Sequence, residues 1–84
     1  MSSFLHNKVE EVKKQALKDA EQLEKSANEK AKQKHYKDAA SLYDSAAQYY
    51  YTAGHNPKAN MCWDAADACR ETAAELDAEV EQRR

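Results

Sequence analysis

Glycine and proline are nearly missing from this chain: one of each in 84 residues. Strands joined by tight turns draw on both residue types, so a sheet is excluded and an all-α fold is expected. No charge sign dominates. Thirteen Lys and Arg meet 15 Asp and Glu, for a net charge of −2. No basic block marks a nucleic-acid partner; the terminal Arg83-Arg84 pair reads as a helix end. No apolar run approaches the roughly 20 residues of a membrane span. The start, MSSFLHN, lacks the basic head and apolar stretch of a secretory signal. There are two cysteines, Cys62 and Cys69. Seven apart on one helix they stand about 10 Å from each other, too far to bridge. Two unpaired thiols suit a reducing compartment, and a cytoplasmic location is expected.

What is present is Ala, Glu, Lys, Gln and Leu, all good helix formers. Three helices are expected, at about 3–33, 37–53 and 57–81, forming one domain over 1–84. Ser2 or Ser3 can cap the first helix. Val9, Val12, Ala16, Ala20, Leu23, Ala27 and Ala31 then recur at steps of three and four, one apolar stripe amid charges. The stripe lapses at Lys32–Tyr36, which marks the first corner. In the second helix Ala39, Leu42, Tyr43, Ala46, Tyr50 and Ala53 face inward, with Ala40, Ala47 and Tyr49 flanking on the shoulder. Gly54 ends that helix by tolerating the left-handed conformation. Asn56 can cap the third helix and Pro57 suits its first position. Ala59, Cys62, Ala66, Cys69, Ala73, Leu76 and Val80 form its seam.

Residues 34–53 set above 54–73 match at six positions of twenty: His35/His55, Ala39/Ala59, Asp44/Asp64, Ala46/Ala66, Thr52/Thr72 and Ala53/Ala73. Tyr43 falls opposite Trp63. A fixed period of this kind marks stacked helical units. Small residues let backbones approach, and one large ring per unit fills the remaining gap.

The stretch from Tyr36 to about Leu76 resembles the helical repeats of the soluble attachment proteins that help take SNARE complexes apart, the SNAP family. The shared pattern is Ala39-Ala40, Tyr43, Ala46-Ala47, an Ala53-Gly54 corner, Ala59, Cys62-Trp63 and Ala65-Ala66. The resemblance implies a tetratricopeptide-like helical repeat and a scaffold or adaptor role in vesicle trafficking or SNARE handling. The Phe- and Gly-rich loop through which that family touches membranes has no counterpart here, so membrane contact is at most peripheral. The sequence is also similar to the microtubule-interacting-and-trafficking (MIT) domain, a three-helix antiparallel bundle. Tyr36, Ala39, Tyr43 and Ala46 match its second helix, and Arg70 and Leu76 stand near its third-helix pattern. The chain is thus a fragment of a repeat protein, a short relative, or a closed bundle.

Chemistry is not legible. Cys62, Cys69 and His55 lack zinc-site spacing and a fourth ligand, and buried thiols are the expected reading. His35 and His55 take equivalent places at the corners. No phosphate-binding glycine loop and no nucleophile–base set is visible. Catalytic residues, metals and cofactors are therefore expected to be none, and the chain is read as a non-enzyme that binds protein: a helical segment of a partner, or a second copy of itself. Its first helix is almost twice as long as its second, so Phe4, Leu5, Val9 and Val12 should overhang the core at one end, as Leu76 and Val80 should at the other. Candidate contacts are Phe4, Leu5, Val9, Tyr51, Arg70 and Leu76. Tyr51 can equally lie over the start of the third helix.

Overall fold

The computed structural model describes residues 2–83, with side chains from Leu5 onward. It consists of three α-helices: α1 (Ser2–Lys32), α2 (Tyr36–Thr52) and α3 (Asn56–Arg83), with no strand among the described residues. The all-α three-helix fold expected from composition is present, with each boundary within two residues of its expected place. Whether Ser2 or Ser3 caps α1 falls outside the residues whose side chains are described.

α2 is the central element. It packs along its length against both α1 and α3, whereas the backbones of α1 and α3 hardly approach each other. That position explains the width of its buried face. Ala39, Ala40, Tyr43, Ala46, Ala47 and Tyr50 are all buried, because α2 has neighbours on two sides. α3 has one main neighbour and buries the narrower seam Ala59, Cys62, Ala66, Cys69 and Ala73. α1 contributes Ala16, Ala20 and Ala27. Most of these side chains are single methyl groups. Backbones close together and dispersion takes the place of large buried side chains.

The two corners are the same structure placed twenty residues apart. In the first, the Gln33, Lys34 and His35 amides donate to the carbonyls of Glu29, Ala31 and Lys30 at 3.1, 3.0 and 2.9 Å. In the second, Ala53, Gly54 and His55 donate to Tyr49, Tyr51 and Tyr50 at 2.9, 3.0 and 2.9 Å. Both are Schellman C-caps with the pivot residue in the left-handed region: Lys34 at φ 66° and Gly54 at φ 83°. The next helix then starts alike in both places. Ala39 donates to the His35 carbonyl at 2.9 Å and Ala59 to that of His55 at 3.0 Å. The cap of α3 is therefore His55 and not Asn56, which already lies inside the helix with Pro57. His35 caps α2 through its backbone, with no hydrogen bond from its side chain.

Tyr43 and Trp63 both pack on the core, as repeat-equivalent wedges should. Tyr43 is buried, and its hydroxyl donates to Asn28 Oδ1 on α1. Trp63 is half-buried and meets the Tyr51 ring of α2 at a centroid distance of 6.3 Å and a 47° tilt. Each ring thus reaches back to the preceding helix.

The helices are unequal in length. At 1.5 Å per residue, α1 and α3 run about 46 and 42 Å and α2 only about 26 Å. Corners at opposite ends make the two long helices overshoot in opposite directions. The molecule is accordingly a slim rod of 66 × 17 × 15 Å.

Candidate functional site

Overshoot leaves an apolar ledge at each end. On α1, Leu5, Val9 and Val12 continue the buried stripe past the end of α2, and they are 65 %, 50 % and 59 % exposed. Lys8 and Lys13 flank that stripe on either side. Together with Val9, Val12 and Thr52 they line an open groove of about 250 Å³. On α3, Leu76 and Val80 continue the Ala66–Cys69–Ala73 seam past the start of α2, at 43 % and 53 % exposed. Leu76, Ala73 and Asp77 line a second open groove, of about 310 Å³, with the first turn of α2.

The six candidate contacts do not form one site. Leu5 and Val9 share the α1 ledge with Val12, and Leu76 lies on the opposite ledge with Val80. The side chain of Phe4 falls outside the described residues. Tyr51 is 61 % exposed, yet its ring meets that of Trp63 at a tilt, so it bridges α2 and the early part of α3. Arg70 is engaged within the molecule. Its guanidinium pairs with Asp44 of α2 and, at 3.4 Å, with Asp67 one turn back. Lys37 and Asp77 add a further α2–α3 ion pair at 3.2 Å. Both α2–α3 pairs are solvent-exposed and contribute little to stability.

The Tyr49-Tyr50-Tyr51 run divides differently from the sequence reading. Only Tyr50 is buried; Tyr49, placed on the shoulder of the buried face, is 42 % exposed. Successive residues turn by 100°, and the two neighbours of α2 do not cover the face that Tyr49 occupies. It borders two shallow depressions, one with Asp44, Ser45, Gln48 and Thr52, the other with Asp19, Gln22, Leu23 and Ser26. Met61, on the outer face of α3, is also exposed.

One polar cluster ties all three helices together. Glu24 of α1 accepts a hydrogen bond from the Tyr50 hydroxyl of α2 and one from Lys58 Nζ of α3 at 3.1 Å. Lys58 also stands 5.3 Å from the centre of the Tyr50 ring, a cation–π distance. Burial alone would raise the Glu24 pKa. The Tyr50 hydroxyl and the Lys58 ammonium outweigh it and hold the carboxyl below its ordinary 4.5. Tyr50 is pushed far up, by burial first and then by the carboxylate that holds its proton. Sequence reasoning missed this cluster. Tyr50 and Lys58 lie 26 and 34 residues from Glu24, and only side chains that meet beside α2 unite them.

Cys62 and Cys69 are buried and unbridged, and burial raises both thiols. Such thiols are poor nucleophiles. Among the described residues no group of three or more His, Cys, Asp or Glu side chains could hold a metal ion, and no helix is long and apolar enough to cross a membrane. No family model, curated protein or solved structure matches the chain.

Proposed function

We propose that this chain is a non-catalytic protein-interaction module whose contact surfaces are the two helix ledges. The observation that carries this reading is the pair of exposed apolar stripes, Leu5–Val9–Val12 and Leu76–Val80. Each continues a core seam into solvent, where a helix laid alongside would be gripped at i, i+3/4 and i+7 positions. The resemblance of residues 36–76 to SNAP-family repeats supplies the setting: a scaffold or adaptor for helical bundles in vesicle traffic, with an assembled SNARE complex as the partner class.

Titration of the labelled chain with a preassembled SNARE four-helix complex tests this. Saturable binding is expected, weakened on the order of tenfold by Val9→Glu or Leu76→Glu. Absence of binding, or binding indifferent to both substitutions, would remove the trafficking assignment.

A further inference from the structure

The two ledges differ in the charge that rims them. Lys8 and Lys13 flank the α1 stripe, while Glu10, Glu11 and Lys14 turn away on the helix wheel. On α3 acids predominate. Asp77, Glu79 and Glu81 stand beside Leu76 and Val80, with Asp77 paired to Lys37 and Arg83 one turn beyond Val80, and residues 71–83 hold five acids and one base. Both ledges are apolar: Leu5, Val9 and Val12 on α1, and Leu76 and Val80 on α3. The ledges project from opposite ends of a 66 Å rod, so they cannot meet within one chain.

We infer that the chain associates with itself head to tail, the α3 ledge of one copy lying in the α1 ledge of the next. This rests on the reading of the ledges as contact surfaces and names a second copy as an occupant. Charge decides the pairing. An α1 ledge against another α1 ledge sets Lys8 and Lys13 against lysines, and α3 against α3 sets acids against acids. Only the mixed contact brings apolar stripes together with opposite charges along their rims. The contact is heterologous, since each copy uses a different surface at each end, and it propagates instead of closing at a dimer.

Sedimentation equilibrium of the full chain, from about 1 μM to about 1 mM, reads the association directly. The mass is expected to rise with concentration past that of a dimer and to fall back as salt is added. Lys8→Glu with Lys13→Glu should weaken association on the order of tenfold or more, and so should Asp77→Lys with Glu79→Lys. All four changes in one chain reverse both rims and should restore it. Because Asp77 also pairs with Lys37, Glu79→Lys alone serves as a second acidic-rim variant; helicity by circular dichroism checks each fold. A chain that stays monomeric throughout overturns the inference, as does an association that the acidic-rim changes leave intact or that the four-fold reversal fails to restore. The SNARE-complex titration is run on dilute monomer, so a monomeric chain that still binds there loses self-association and keeps the interaction reading.

Discussion

Lys34 and Gly54 hold the same left-handed pivot in two otherwise equal corners, but only one of them suits it. An L-residue with a side chain pays roughly 1 kcal/mol for positive φ, and glycine does not. Lys34→Gly should therefore raise stability by about 0.5–1 kcal/mol, partly offset by the added freedom of the unfolded chain. At Gly54 a Cβ would meet nothing within 4 Å, so crowding is not the obstacle, but φ is 83°. Gly54→Ala should cost about 1 kcal/mol through backbone strain alone. Urea unfolding of the two variants measures the contrast. Gly54 was readable in the sequence as a helix terminator, whereas Lys34 was not, since nothing in its side chain signals a left-handed backbone. The first corner was legible only as a lapse in the apolar stripe. The twenty-residue period was the better guide, because it carries Gly54 onto Lys34.

Glu24 gives the molecule an acid-sensitive joint. Its folded pKa is depressed, so the stability it supplies is complete above its ordinary 4.5 and is lost as pH falls through the lower folded value. Glu24→Gln removes the charge that Lys58 meets and should cost about 1–2 kcal/mol near neutral pH. It should also flatten the fall in stability below pH 4.5 relative to the parent. Thermal melts at a series of pH values, with and without the substitution, show whether that slope belongs to Glu24.

Along each helix, the three-and-four spacing announced the buried face correctly for α3 as far as Ala73 and for α1 from Ala16 onward. For α2 it placed Ala40, Ala47 and Tyr49 alike on the flank, where the two alanines are buried and Tyr49 is exposed. The reason is connectivity. A helix between two neighbours buries a broad sector, and its own sequence does not say where the second neighbour lies. Alanines at the contacts set how closely the helices approach. Ala46 is fully buried, and Ala46→Leu would wedge α2 from its neighbours at a cost of about 1–3 kcal/mol. Val9→Ala, on the exposed ledge, should change the stability of the dilute monomer by less than about 0.5 kcal/mol. Denaturation midpoints for these two variants separate residues that build the core from residues that await a contact. A large loss at Val9 would mean that the ledge is already covered within the monomer.

The complete molecule is shaped by unequal helix lengths more than by any single interaction. A short middle helix with a corner at each end throws its two long neighbours out in opposite directions, and their stripes emerge from the core as ledges. The overhang was legible in the sequence because it follows from counting residues between corners. The polar joint at Glu24, Tyr50 and Lys58 was not, because it depends on long side chains of α1 and α3 meeting beside α2. Every proposal for binding stands on those ledges being extended in solution. Small-angle X-ray scattering of the dilute monomer measures this most directly. The rod has a Cα radius of gyration of 16.5 Å and a longest dimension of 66 Å, and scattering values close to these are expected. A compact chain of this length would give about 12 Å; a value near that would mean the helix ends fold back onto the core, leaving no ledge to bind anything.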